Sequence, residues 1–271
     1  MILVNIVERD SVNRDEKEFV IKTINSTLEK IKDQRMGLVD VYLFESSHSM
    51  NAFLIKESRS LGVLTRPMDS FIASHDAWRG IPRITICIER LRPLSEEIKR
   101  GVIEHEIGHA LLHGSLAYYL FSIPRDYLAI EERFEVINGF AINSFYLISI
   151  AVKDYEVSRF LLRKGFFEDQ KAYIEFLLSE KPEEIPNLKD LRVLHILSAL
   201  KDLACARPLS NDPNIGPLIS SLLDQFPNSI KQRLNTVLQA LDKLGENTES
   251  NIYEIADICL REIIIPVLSD P

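Results

Sequence analysis

The sequence predicts an α+β chain, with a mixed strand-and-helix domain over residues 1–166 and an all-helical region over 167–271. Three observations carry this. Short β-branched runs alternate with helical periodicity in the first ninety residues, and no strand pattern follows Ile130. A single helix between Pro93 and Gly114 holds most of the chain's distinctive polar residues.

Taken in order, Ile2 to Val7 reads as a strand, Asp15 to Gln34 as an amphipathic helix and Val39 to Glu45 as a second strand. Ile84 to Leu91, rich in isoleucine, reads as a third. Ser95 then offers a helix cap, with Glu96 and Glu97 in the first turn, where carboxylates suit the positive end of the helix dipole. Helical patterns occupy about 130–165, 168–181, 187–206, 214–226, 228–244 and 250–265, punctuated by Pro182, Pro186, Pro208, Pro213, Pro227 and Gly245. The stretches Gly165 to Asp169 and Lys181 to Pro186 mark a soft boundary near 166.

Composition narrows the class. Forty acidic against thirty-two basic residues give a formal charge of −8, which disfavours broad electrostatic capture of nucleic acid or anionic lipid. Cys87, Cys205 and Cys259 are odd in number and far apart, fitting neither a disulfide framework nor a thiolate metal site, so a cytoplasmic location is expected. The amino terminus reads as a strand rather than a secretory signal. The apolar run Ile137 to Val152 is interrupted by Asn138, Asn143, Ser144 and Ser149 and reads as a buried helix, so no stable membrane insertion is expected. P-loop, dinucleotide and G-x-S-x-G patterns are absent from the sequence.

The chemistry concentrates in Glu104-His105-Glu106-Ile107-Gly108-His109-Ala110-Leu111-Leu112-His113. Histidines four apart lie one helical turn from each other, about 6 Å of rise, so both rings leave the same face and can share one ion. Glu106, one residue along, can hold water beside that ion and take its proton. By periodicity, Ile98 and Val102, and Ile103, Ile107, Ala110 and Leu111, form apolar sides, leaving Glu97, Arg100 and Glu104 for water.

This H-E-x-x-H helix resembles that of the zincin metallopeptidases. The wording H-E-I-G-H-A-L-L-H-G is similar to compact soluble zincins typified by phage-repressor-cleaving and radiation-response peptidases, and to archaeal relatives. The resemblance covers about residues 80–165. It implies Zn²⁺ as cofactor, His105 and His109 as ligands, Glu106 as general base, and a substrate cleft lined by Ile84 to Leu91.

A third protein ligand is required, with one position left open for water. His113 lies about 12 Å of rise beyond His105, too far to share an ion, and is expected at the helix end or behind a ligand. Two acids on the apolar Gly139-to-Leu162 helix are the main candidates. Asp154 shares its face with Leu147, Ile150, Ala151, Val157 and Leu161, and so would be buried unless paired or coordinating metal. Glu156 neighbours Ser149, Lys153, Arg159 and Arg163, as a solvated ion-paired residue would. Burial favours Asp154, whereas the resemblance favours Glu156, the longer ligand, so the gluzincin and aspzincin arrangements both stay open. Glu131, Glu132 and Glu135 form a further group that a charged helix start explains equally well. Tyr118, Tyr119, Tyr155 and Arg159 are available as oxyanion donors. His48 and His75 are expected in loops, and His195 as a structural residue on a later helix.

The expected activity is therefore zinc-dependent hydrolysis of a peptide or protein substrate, with an extended peptide pairing to an exposed edge of Ile84 to Leu91. The alternative is a metal-binding or metal-free interaction protein whose helical region recognises a partner. No nucleic-acid partner is expected, and the sequence leaves the oligomeric state open.

Overall fold

The computed structural model describes residues 2–32, 37–62, 71–179 and 184–270. It confirms an α+β chain. Two compact units can be distinguished, Met1–Leu120 with Phe160–Tyr173, and Phe121–Arg159 with Ile174–Pro271.

The first unit is built on a four-stranded sheet of order β1-β2-β4-β3. Strand β1 (Leu3–Glu8) pairs parallel with β2 (Leu38–Phe44), β2 pairs parallel with β4 (Arg83–Cys87), and β3 (Ala73–Asp76) pairs antiparallel with β4. Helix α1 (Arg14–Ile31) joins β1 to β2 and starts where the Asn13 side chain accepts from the Asp15 N–H. Asp33 and Gln34, the expected end of that helix, lie outside the described residues, as do Lys181 and Pro182 of the expected boundary.

Alternation of side chains along β4 divides the core into two layers. Cys87 and Phe44 pack with Met50 and Leu54 of helix α2 (Ser47–Leu61), and Arg83, four residues before Cys87 on the same face of β4, reaches Glu57 of the same helix. The intervening residues Ile84 and Ile86, with Val39, Val41 and Leu43 of β2, are buried on the opposite face. That face takes α4 (Glu96–His113), which packs on β3 and β4 and in turn carries α1. His75 stands opposite Ile84 in the register and so shares the α4 side.

Two expectations are corrected here. The run Ile84 to Leu91 is not one strand: after Cys87 the chain turns into a short helix, α3 (Ile88–Leu91). Nor is it a free edge, because β3 occupies its outer side and leaves β1 and β3 as the outer strands. Peptide pairing along Ile84 to Leu91 is therefore excluded. His48 and His75 also leave their expected loops, for α2 and β3 respectively.

Helix α4 begins as expected. The Ser95 hydroxyl accepts from the Ile98 N–H, and Gly114 ends the helix. A short 3-10 turn, Leu116–Tyr119, follows it.

The second unit is helical throughout its described residues: α5 (Arg125–Arg133), most of α6 (Phe140–Arg163), the end of α7 (Phe167–Leu178), α8 (Lys189–Ala206), α9 (Ile215–Leu223), α10 (Asn228–Leu241), α11 (Thr248–Cys259) and α12 (Ile265–Ser269). The expected continuous helix from 130 is broken by Gly139, whose φ of +78° suits glycine alone. Glu131 bridges the break by accepting from the Ala141 N–H. Tyr127 is buried and donates to the Ala256 carbonyl, tying α5 to α11. Among the described residues, no helix is long and apolar enough to cross a membrane.

A buried ion network fixes α2, β3 and β4. Arg83 donates through Nε and Nη2 to Asp76 at 3.0 and 2.8 Å, its Nη1 lies 2.5 Å from Glu57, and Arg79 meets Glu57 at 2.8 Å. The rings of Tyr42, Phe53 and Trp78 surround the Arg83 guanidinium. Replacing Arg83 with Ala strands two buried carboxylates, and removing one partner from such a site costs about 3–5 kcal/mol. Urea unfolding of Arg83→Ala should register that loss, and a wild-type midpoint would refute the assignment.

Candidate metal centre

Helix α4 presents its polar residues as one ladder. His105 Nε2 lies 3.2 Å from His109 Nε2, and His109 Nδ1 lies 3.2 Å from His113 Nδ1. Two nitrogens bound to one tetrahedral ion at 2.0–2.1 Å would be about 3.3 Å apart, so the His105–His109 spacing fits a shared ion. His113 meets the other edge of the His109 ring and is fully buried, with the Tyr118 ring edge-on at 5.4 Å. It therefore lies on the far side of His109 from His105, at the end of α4.

The neighbours of the pair come from three elements. His75 on β3 stacks over His109 at 6.1 Å with an 8° interplanar angle, and its Nδ1 is 2.8 Å from the Tyr119 hydroxyl. Tyr173 on α7 lies against His105 with ring centroids 5.2 Å apart. His105 is buried while Glu106, His109, His75, Tyr119 and Tyr173 are half-buried, so these residues form a rim with His105 at its base. His75 was expected to be a loop residue and Tyr173 was not singled out. The register of β3 and the crossing of α7 place them, and neither is visible in local periodicity.

The crossing has a specific cause. A Cβ on Gly101 would meet the Asp169 carbonyl oxygen at 2.3 Å and Tyr173 Cβ at 2.7 Å, so only glycine lets α7 approach α4 this closely. Gln170, fully buried, donates from Nε2 to the Gly101 carbonyl at 2.9 Å and to Glu104 Oε2 at 3.2 Å. Arg100 anchors the same turn by donating to Asp169 at 3.0 Å.

Glu104 was expected to face water. Instead it is 4% exposed, covered by α7. Burial pushes its carboxyl up to about 8, and the hydrogen bond from Gln170, which pulls the other way, does not offset that.

The two candidate acids lie on α6 in the second unit. Burial runs opposite to the sequence expectation: Glu156 is buried and Asp154 half-buried. Glu156 is not a solvated ion-paired residue. Its Oε2 accepts from the Thr248 hydroxyl at 2.8 Å and its Oε1 from Asn251 Nδ2 at 2.6 Å, which pins the start of α11. Asp154 sits in the electrostatic reach of Lys153 and Lys201. Burial pulls the Lys153 ammonium down to about 8, against the opposing effect of Asp154 and Glu156. Of the other acids, Glu131 caps α6, whereas Glu132 and Glu135 are exposed.

Among the oxyanion candidates, Arg159 donates to the Leu244 and Gly245 carbonyls and stacks on Tyr155, both within the second unit. Tyr118 lies against His113 of α4, and Tyr119 against His75 of β3. Cys87 is part of the apolar cluster under α2, and burial pushes its thiol up, which suits a structural residue. His195 packs on Phe226.

Comparison with protein-family models, with curated proteins and with solved structures gives no match to this chain.

Glu104 makes the metal-free protein's stability depend on pH. Its folded value lies above the unfolded one of about 4.5, so the folded state holds the proton more tightly. The contribution is complete below about pH 4.5, falls by up to about 1.4 kcal/mol per pH unit as pH rises, and levels off above about pH 8. Glu104→Gln should remove this dependence and stabilise the protein at pH 8 by a few kcal/mol relative to wild type. Denaturation midpoints at pH 5 and pH 8 in the presence of chelator measure it. Parallel pH profiles for the two proteins would contradict a buried, protonated Glu104.

Proposed function

We propose that this chain is a zinc-dependent metallopeptidase in which His105, His109 and Asp154 hold Zn²⁺ and Glu106 is the general base. The observation that carries the reading is the 3.2 Å approach of His105 Nε2 to His109 Nε2 on one face of α4, with Glu106 between them in sequence. Imidazole and carboxylate are the donor set that zinc accepts in hydrolytic sites. Bound there, zinc would polarise a substrate carbonyl and bring the pKa of water towards neutrality.

The protein's own residues supply the rest. Glu106 is half-buried at the rim, where its carboxylate can take a proton from an attacking water and pass it to the departing amine. Asp154 is preferred to Glu156 as third ligand because Thr248 and Asn251 already occupy both oxygens of Glu156. Tyr119, held against His75, is a hydroxyl candidate for stabilising a developing oxyanion. Peptide is favoured as substrate because β3, an outer strand carrying His75, offers backbone groups beside α4.

The second reading is an interaction protein whose helical region recognises a partner. Ile185, Leu188 and Leu191, all exposed around the start of α8, are the observation in its favour.

Zinc analysis of the purified full-length chain should find about one equivalent, lost in His105→Ala and His109→Ala. Asp154→Asn should weaken zinc binding strongly, whereas Glu156→Gln should lower thermal stability and leave zinc in place. Zinc retained at wild-type affinity in Asp154→Asn would remove Asp154 from the site.

Glu106→Gln should keep fold and zinc but lower chelator-sensitive cleavage of an unstructured peptide library by about 10² to 10⁴. Unchanged cleavage in that variant would exclude Glu106 as the base. A protein that binds zinc, cleaves nothing and still captures a partner would favour the second reading.

A further inference from the structure

We infer that His113 is a positioning residue for the metal site: it accepts a hydrogen bond from His109 Nδ1–H and thereby leaves His109 Nε2 bare for the ion. The inference rests on the proposed metal reading, which names His109 as a ligand but does not say what sets its ring.

A neutral imidazole carries one N–H and one bare nitrogen, and only the bare nitrogen can bind a cation. His109 directs its two nitrogens to opposite neighbours, Nε2 to His105 and Nδ1 to His113, both at 3.2 Å. The direction of one hydrogen bond therefore decides the chemistry of the other edge. If His113 donated, His109 would be protonated on Nε2 and closed to metal. If His113 accepts, His109 is the Nδ1–H tautomer and its Nε2 lone pair points at the nitrogen of His105.

The surroundings hold the His113 ring in place against His109. It is fully buried in the last turn of α4, with the Tyr118 ring edge-on against it. A buried polar ring at that position needs partners, and His109 Nδ1 is one. His109 itself is half-buried at the rim and is clasped by His113 on one edge and stacked on by His75 over its face. Groups behind a metal-binding histidine commonly come from another element, as a carboxylate or a backbone carbonyl. Here the partner is one turn further along the same helix, so ligand and positioning residue share one rigid backbone and their relative placement follows from the spacing of four.

The test compares two variants in the full chain. His113→Asn places a carbonyl oxygen near the position of Nδ1 and keeps an acceptor, whereas His113→Leu removes it. Zn²⁺ affinity is read by competition with a chromophoric chelator. The His109 tautomer is read from long-range ¹H–¹⁵N imidazole spectra of the metal-free wild type.

The expected results are an Nδ1-protonated His109 in the wild type, an affinity about 10- to 100-fold weaker in His113→Leu, and substantial recovery in His113→Asn. A merely structural role would not move the tautomer and would not be rescued by Asn. An Nε2-protonated His109, or wild-type affinity in His113→Leu, would overturn the inference. Should His113→Leu not fold, the wild-type tautomer and His113→Asn still decide it. Wild-type protein that binds no zinc would defeat the metal reading itself, and the imidazole spectrum would then judge the His109–His113 bond on its own.

Discussion

A helix that buries a glutamate and two histidines in an apolar layer has to find partners for each of them, because an unsatisfied buried polar group costs more than its hydrogen bond returns. In α4 these residues are Glu104, His105 and His113. Much of the first unit can be understood as meeting that requirement. Gly101 lets α7 come close enough for Gln170 to reach Glu104, and the same crossing lays Tyr173 on His105. The register of β3 puts His75 over His109, and the turn after α4 brings Tyr118 to His113 and Tyr119 to His75. The sheet's other face is occupied by a separate ionic network around Arg83, so α2 and α4 are each held to β4 by different chemistry.

The second unit solves the same problem in its own way. Helix α6 is mostly buried between Ser144 and Ser158, so its polar side chains away from the partly exposed row of Tyr146, Ile150 and Asp154 need partners within the unit. Glu156 is answered by Thr248 and Asn251, and Ser158 by Cys205. Arg159 is answered by the carbonyls of Leu244 and Gly245. The bonds of Glu156 and Arg159 converge on the turn that opens α11, which ties that turn to α6.

The elements legible in the sequence were those whose signals are local. Ser95, the acidic first turn and Gly114 bracketed α4 because capping is a matter of a few neighbouring residues. The alignment of His105 and His109 followed from helical geometry alone. What was not legible depends on partners far along the chain. Strand β3 is four residues, Ala-Ser-His-Asp, with no strand propensity of its own, and exists by pairing with β4. Glu104 was assigned to water because periodicity cannot foresee α7 crossing at Gly101. Glu156 was assigned to Lys153 and Arg159 because spacing suggests neighbours on its own helix, whereas its hydrogen-bond donors lie more than ninety residues downstream. The break at Gly139 carried a signal, a glycine flanked by Asn138 and a charged segment, that the apolar run on either side obscured.

The histidine ladder is costly core material, and that cost bears on the proposed metal site. A hydrogen bond between neutral rings contributes about 1 kcal/mol net, while burying each ring forfeits hydration that leucine would not have to give up. Leucine at 105, 109 and 113 would continue the apolar sides already formed by Ile103, Ile107, Ala110 and Leu111 and would pack without polar obligations. In the metal reading proposed above, the facing nitrogens of His105 and His109 would gain a stronger partner than each other. A divalent cation is such a partner, and binding it stabilises the folded chain in proportion to the logarithm of its concentration over Kd. Under that proposal the same rings would serve stability and function through one equilibrium, and α4 would carry a cost in the metal-free protein that the loaded protein would recover.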